Sequence, residues 1–405
     1  MARKRGYHEC RCCRCARYFE HGGVVVSLSL DRSTWKRVVF GEVVANINDY
    51  FDADRDGVLP YVAGPNLNGG VPSVASYGST DDDKFPPTFK RKFRSGDVLL
   101  HSRGIDKLAA VDRPGVTGEK LFVLRSLDEN VLLQEYLIWL LSGPQAQRQL
   151  TDNFTGSVNK FLNWSPLAAF EFDLPPLDEQ KRIAGLLWAV ERHRLQLATS
   201  MRSCVEAVDV ILRALWEAKT GKRAIGEIAG CVTGSTPSKS NEAYWNSRDV
   251  PFYTPSEIGG ETIDAPRQWV SEAGASAGRL LPEFAVAVAC IGGDMGKSAV
   301  IREPGISNQQ ITSIVGLSGD DAYLMQSLLA HPRGRLALEA RETTTIVRKL
   351  NKSDLMKVEV PWPEDRSVVS QLVQQRRETV SAIAQEARSL RVLLSALLAE
   401  IHGAS

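Results

Sequence analysis

The chain repeats itself at an interval of about 188 residues, and this duplication constrains its architecture more than any other feature. Phe40-Gly41-Glu42 is answered by Ile225-Gly226-Glu227, Leu59-Pro60-Tyr61 by Val250-Pro251-Phe252, and Glu135-Tyr136-Leu137 by Ala322-Tyr323-Leu324. Lys160-Phe161-Leu162-Asn163 is answered by Arg348-Lys349-Leu350-Asn351, and Phe172-Asp173-Leu174-Pro175 by Val360-Pro361-Trp362-Pro363. The matches fall in order, at offsets between about 185 and 191. A single match of this kind is noise, but several in register mean a diverged duplication. With 405 residues to place, the chain suits two units of like plan rather than one core.

Both halves follow one order of elements. A polar stretch punctuated by Gly and Pro holds short β-branched runs, Asp97–Leu100, Lys120–Leu124, Ala285–Ile291 and Ile311–Val315, which read as strands. A short helix follows near Leu132–Leu141 and Ala322–Ala330, then a Pro-flanked strand (Ala169–Leu174, Lys357–Val360) and a long helix.

In the first long helix Ile183, Leu187, Val190, Arg194, Leu197, Met201, Cys204, Val208, Ile211 and Leu215 alternate spacings of four and three. Val369, Val373, Arg376, Val380, Ile383, Ala387, Leu390, Leu394, Leu397 and Ile401 do the same in the second. A sustained period of 3.5 residues marks a coiled-coil seam, whereas a helix lying on its own domain shows a wider stripe drifting at 3.6. Thr220-Gly221 stops the first helix. The expected fold class is therefore α+β: two pseudo-repeated mixed α/β domains separated by two long helices that form an antiparallel coiled coil, one unit at each end of a common rod. In that register Ile183 lies near Ile401, Met201 near Ile383 and Leu215 near Val369. Arg194 and Arg376 interrupt the seams, either to fix register or to snorkel to solvent. The expected boundaries are a tail over 1–26, domains over 27–177 and 221–363, and spacer helices over 178–220 and 364–405.

Composition excludes some classes. The chain is 43% hydrophobic and 24% charged, ordinary for a soluble globular protein. A net charge of +1 means that any polyanion-binding surface must concentrate its basic residues on one face. No apolar run approaches the roughly 20 residues that cross a bilayer, and the basic N-terminus lacks a signal core, so a cytoplasmic protein is expected. Of seven cysteines, Cys10, Cys12, Cys13 and Cys15 crowd into one run near His8 and His21. Zinc modules take ligands from two separated pairs, so a reduced disordered tail is expected, or one that is not translated, with a start at Val24, Val25 or Val26. Cys204, Cys231 and Cys290 are isolated and read as small core residues.

Catalytic patterns are missing. In Gly292-Gly293-Asp294-Met295-Gly296-Lys297-Ser298 a phosphate loop would need Gly where Ile291 stands, and the residues after Ser298 read as strand rather than helix. Lys297 can still meet a phosphate. Phe85-Pro86-Pro87-Thr88 and Leu174-Pro175-Pro176-Leu177 have the prolines of an amino-methyltransferase motif without its polar lead or aromatic end. No nucleophile–base pair, metal cluster or cofactor loop stands out, so the chain is expected to be non-catalytic, with no metal or cofactor of its own.

The second half resembles the target-recognition domains of type I restriction–modification specificity subunits. The residues that carry the resemblance are Gly234-Ser235-Thr236-Pro237-Ser238, Tyr244-Trp245, Val250-Pro251-Phe252, Gly296–Val300, Ser307-Asn308-Gln309 and Leu350–Leu355. In the first half Leu174–Ala184, with Asp178-Glu179-Gln180, resembles the run leading into the family's helical spacer. The first half departs by having Ala45–Tyr50 in place of the Gly-x-Thr-Pro element, and Pro361-Trp362-Pro363 is not followed by the Glu-Gln pair.

The resemblance implies that each domain reads half of a split site in double-stranded DNA and that the helices set the gap. It also implies two methyltransferase (modification) subunits, which use S-adenosylmethionine, and restriction–translocase subunits as partners. A stand-alone DNA-modifying enzyme and a structural coiled-coil adaptor are the competing classes; cofactor binding by the chain would favour the first, and the varied polar loops argue against the second. Phosphates are met by Lys, Arg, Ser and Thr, and bases by Arg, Lys, Asn and Gln. The candidate contacts are Lys90, Arg91, Lys92, Arg94, His101, Arg103 and Lys160 in the first half. In the second they are Thr236, Ser238, Lys239, Lys297, Thr345, Arg348, Lys349 and Lys352. For each of these, a merely solvated basic surface is the alternative.

Overall fold

The computed structural model describes Leu28 and residues 30–158, 160–264, 266–343 and 348–403. The cysteine-rich tail, the alternative start sites and Thr345 lie outside the described residues. Two compact units emerge, Met1–Leu197 with Glu386–Ser405, and Ala198–Gln385.

The first unit runs through β1 (Lys36–Val39), α1 (Phe40–Val43), β2 (Val44–Asn46), β3 (Asp49–Tyr50), α2 (Ala53–Asp56), β4 (Pro60–Val62) and β5 (Gly78–Ser79). It continues with β6 (Arg91–Phe93), β7 (Val98–His101), β8 (Leu108–Ala110), β9 (Gly115–Thr117) and β10 (Leu121–Ser126). Helices α3 (Gln134–Ser142), α4 (Pro144–Asp152) and α5 (Trp164–Ala168), strand β11 (Glu171–Leu174) and the start of α6 (Leu177–Glu217) complete it. One sheet has the order β2-β10-β7-β8, a second β3-β6-β9-β4-β5, and β1 pairs with β11.

The second unit repeats the plan with β12 (Lys222–Ala224), α7 (Ile225–Ile228), β13 (Gly230–Thr233), β14 (Val250–Tyr253), β15 (Thr262–Ile263), β16 (Gln268–Val270) and α8 (Glu272–Ser276). Then come β17 (Val286–Ala289), β18 (Ser298–Ile301), β19 (Ile306–Ser307), β20 (Ile311–Val315), α9 (Gly319–Ala330), α10 (Pro332–Glu339), α11 (Lys352–Leu355), β21 (Glu359–Pro361) and the start of α12 (Ser367–His402). The sheets are β13-β20-β17-β18-β15 and β16-β14-β19, with β12 on β21. Parallel pairing of Tyr61 with Val116 is matched by Phe252 with Ile306, so the duplication seen in sequence extends to strand register.

The short strands are apolar on both faces because each separates two cores. Val98 and Leu100 join α3 in one core, while Leu99 and Val123 join Val62 and Phe93 in another. Val286 and Val288 pack with Leu324 and Leu328 of α9, and Ala287 and Ala289 with Tyr253 and Ile301. Alternate residues of a strand point to opposite faces, so a run buried on both shows no polar alternation. As the sequence requires, Ser298 opens a strand and not a helix.

The long helices pack antiparallel within each unit. Ile183, Leu187 and Val190 of α6 share a core with Leu394, Leu397 and Ile401 of α12, and Leu390 packs against it. Val208 and Leu212 share the other with Val373, with Leu215 and Val369 against it. Leu197, Met201, Ile211, Val380 and Ile383 are half-buried. The stripe is narrow over Arg192–Ala207 and widens near the ends, where Ala184, Leu212, Trp216 and Leu398 are also buried. The helices thus combine a heptad seam with domain-bound ends.

Two details differ from expectation. Arg194 is held by Glu191 of its own helix at 2.9 Å, and Arg376 by Glu261 and by Ser327 of α9, so neither reaches across to set register. Cys204 is half-buried rather than core, because the stripe is at its narrowest there; Cys231 and Cys290 are buried.

The two helix starts are anchored by different chemistry. Buried Gln180 accepts from the Leu133 amide at 2.9 Å and donates to the carbonyls of Val131 and Pro175 at 2.9 and 2.8 Å. In the second unit Arg366 binds Asp321 of α9 through two bonds of 2.6 and 2.7 Å and lies over the Trp362 ring. The missing Glu-Gln pair is thereby replaced by a bidentate ion pair, which holds the Asp321 carboxyl below its ordinary pKa.

Candidate nucleic-acid interface

In each unit three loops meet at one end of the central sheet. In the first, Ser102, just past β7, donates its amide to the Lys120 carbonyl at 2.8 Å and accepts the Leu162 amide at 2.7 Å. Leu162 follows a hairpin closed by mutual bonds between Thr155 and Phe161. In the second, Cys290 donates to the Gln310 carbonyl at 2.7 Å and accepts from Leu350 at 2.8 Å. At the corresponding place the Thr343 amide donates to the Lys349 carbonyl. These bonds repeat at nearly the spacing of the sequence duplication, so the same three-loop platform is built twice.

The Gly234–Ser238 motif docks on this platform. Gly234 donates to the Ile311 carbonyl, and a Cβ there would stand 2.2 Å from the Asn308 carbonyl oxygen, so only glycine permits this approach. Thr236 donates to the Gln309 side chain at 2.7 Å, and the Trp245 indole to the Ser238 carbonyl at 3.2 Å. Trp245 meets Phe252 edge-on at 5.1 Å, and the Asn308 amide binds the Tyr253 carbonyl. Motifs far apart in sequence thus converge on residues 307–310.

Not every candidate contact joins this platform. Arg103, Lys160, Lys349 and Lys352 are exposed, as are Ser238 and Lys239 on the Gly234 loop, and Lys90 beside β6. The run from Lys90 to Arg94 is not a continuous patch, because β6 sends alternate side chains to opposite faces. Arg91 donates to the Leu121 carbonyl, and burial lowers its pKa. Lys92 sits 3.2 Å from Asp56 and 3.8 Å from Asp49. Arg94 is exposed, 4.0 Å from a buried Asp97 that Arg125 already holds with two bonds of 2.7 Å. Arg348 is engaged by Glu339 and Glu342, and Lys297 by Asp294. Lys297 lines a cavity of about 400 Å³ beside α9 together with His331 and Arg376. Half-buried His101 accepts the Arg103 amide on Nδ1 at 3.0 Å.

Lys107, Lys120, Gln309 and Gln310 were not among the sequence candidates, yet their loops form the platform. The signal available for Gln309 was the Ser307-Asn308-Gln309 motif, which Gln310 adjoins; Lys120 had none, since it adjoins a run that reads as strand. Among the described residues no group of acidic, His or Cys side chains is arranged to hold a metal ion, and no helix is long and apolar enough to cross a membrane.

The family model for the type I restriction modification DNA specificity domain matches residues 33–205. The type I restriction enzyme EcoR124I/EcoR124II specificity subunit of Escherichia coli is 21% identical over 146 residues, 35% of this chain and 36% of that protein. The EcoprrI specificity subunit of the same species is 28% identical over 92 residues, 22% and 23% of the two chains. The matches therefore span about a third or less of these relatives' length. Among solved structures, the type I S subunit from M. genitalium aligns over 93% of this chain and 99% of its own, with a TM-score of 0.61 and 15% identity. A chain from a study of complex assembly and conformational transition in a type I system aligns over 92% and 98%, with a TM-score of 0.53 and 20% identity. At such identities the likeness is one of fold.

Proposed function

We propose that the chain, which matches the type I restriction modification DNA specificity domain over residues 33–205, is a specificity subunit that selects DNA sites for other subunits that carry out the chemistry. Residues 27–177 and 221–363 act as two readers, each taking half of a split, asymmetric sequence in duplex DNA, and the helices 178–220 and 364–405 join them. The observation that carries this reading is the repeated three-loop platform, dressed with Arg103, Lys120 and Lys160 in one copy and Gln309, Gln310 and Lys349 in the other. Exposed lysines suit phosphates, and glutamine and arginine suit base edges. Lys90 extends the phosphate-binding rim of the first unit, and Lys239 and Lys352 that of the second, where Thr236 and Ser238 sit on the Gly234 loop. In the first unit Arg91 and Lys92 brace β6 through the Leu121 carbonyl and Asp56, with Arg94 exposed beside it, and in the second Arg348 is braced by Glu339 and Glu342.

In this reading the seam from Ile183 to Leu215 and from Val369 to Ile401 holds the two helices together. Two methyltransferase subunits using S-adenosylmethionine and restriction–translocase subunits are the partners. The chain itself is non-catalytic and works in the cytoplasm.

Selection from a random duplex library by the complex with its methyltransferase tests the reading. A split motif of two short blocks is expected. A single uninterrupted motif, or none, overturns the two-reader reading, and binding of S-adenosylmethionine by the chain alone would favour an enzyme.

A further inference from the structure

We propose that the first unit holds a base-reading pocket in which His101 and Lys120 donate to the N7 and O6 acceptors of a guanine. The inference rests on the DNA-targeting role above. The pocket has a volume of about 350 Å³ and is walled by residues 63–65, Thr88-Phe89 and 118–121, with His101. It adjoins the platform, because Ser102 and Lys120 are hydrogen-bonded there.

Two glycines let the walls close in. A Cβ on Gly64 would lie 2.7 Å from His101 Nε2, and one on Gly118 would lie 2.5 Å from the Phe89 ring. The imidazole and the phenyl group therefore pack directly on backbone.

The hydrogen bonding of His101 sets its tautomer. Nδ1 accepts the Arg103 amide, so in the neutral ring the proton sits on Nε2, which remains a donor. Burial, then Lys107, Lys120 and Arg103, keep the ring neutral by lowering its pKa. Lys120 is exposed and supplies the second donor. Guanine shows two adjacent acceptors in the major groove, adenine one acceptor and one donor, thymine one acceptor and cytosine a donor. Two donors match guanine. Glu119, which lines the same pocket, is an acceptor suited to the amino group of the paired cytosine.

The duplication removes these groups from the second unit. The residue 188 positions after His101 is Ala289, wholly buried in a core. The hydrogen-bonding counterpart of Lys120 is Gln310. The reading is therefore specific to the first half-site.

The test is to sequence methylated sites made by the full chain with its methyltransferase, comparing wild type with His101→Ala, His101→Gln and Lys120→Ala. His101→Ala and Lys120→Ala should relax a guanine at one position of one half-site, losing about 5- to 150-fold discrimination, with the other half-site unchanged. His101→Gln, which keeps a donor, should retain part of it. An unchanged motif, a uniform loss across all sequences, or a change in both half-sites overturns the proposal. Retained methylation governed by the other half-site shows that the variant is folded, and if His101→Ala does not accumulate, exposed Lys120→Ala decides. A wild-type chain that yields no split motif would instead sink the underlying DNA-targeting reading.

Discussion

Replacing Gln180 by methionine keeps the volume of the side chain and deletes its three hydrogen bonds. The residue is fully buried, so the Leu133 amide and the carbonyls of Val131 and Pro175 lose their partner at the point where α6 meets the start of α3. A buried polar group left unpaired costs about 1–3 kcal/mol. Three such groups, two of them only partly shielded, put the loss at about 3–5 kcal/mol. In a cooperative unit of roughly 200 residues this lowers the melting temperature by about 10 °C. Trp188 is the natural reporter, since its indole donates to the Glu135 carbonyl of α3 and its ring meets Trp139 at 5.1 Å. Thermal unfolding followed by tryptophan fluorescence should show the drop for Gln180→Met and under about 1 kcal/mol for Glu179→Gln, which breaks only an exposed pair with Arg182. A Gln180→Met melt within about 3 °C of wild type would show that the buried glutamine does not anchor the helix.

Three further outcomes are expected. Gly234→Ala forces a Cβ against the backbone of Asn308 and Ser307, so binding to duplexes should become insensitive to scrambling one half-site while the other is still read; equal sensitivity to both would contradict this. Burial pushes His402 down to about 3, below its ordinary 6.5, so the folded state binds fewer protons than the unfolded one; stability should be full above about pH 6.5 and decline as pH falls toward 3. Urea unfolding across that window should show the slope in wild type, and His402→Gln should flatten it. Lys160→Ala and Lys349→Ala should each reduce the slope of log affinity against log salt by about 0.9 without altering the preferred sequence, and an unchanged slope would remove that lysine from the phosphate contacts.

Periodicity made much of this fold legible. The heptad spacing from Ile183 to Leu215 gave the long helices, and short apolar runs such as Val98–Leu100 announced strands, whose burial on both faces the structure added. The strands around β3, β6 and β9 were not legible, because two or three residues carry no period and their pairing joins positions as distant as Asp49 and Lys92. Charge was the weaker guide to the site. Lys90–Arg94 reads as one basic patch, yet Asp56, Asp49 and the Leu121 carbonyl engage two of its side chains from elsewhere in the chain. Arg194 and Arg376 break the seams, which left register and snorkelling open; the i,i+3 spacing offers Glu191 to Arg194, whereas Glu261, 115 residues from Arg376, could not be chosen from spacing. Gln180 lay in a recognisable motif whose resemblance said where a helix begins and nothing of what the side chain holds.

The central claim is that two separable readers choose the site, and exchanging one of them tests it most directly. Residues 222–362 would be replaced by the equivalent segment of a relative with a different target, and methylated sites would be sequenced in cells that also make the partner methyltransferase. The duplicated platform predicts that one half-site changes to that of the donor while the other half-site is kept. A chimera that folds and methylates but changes both half-sites, or neither, would contradict the account.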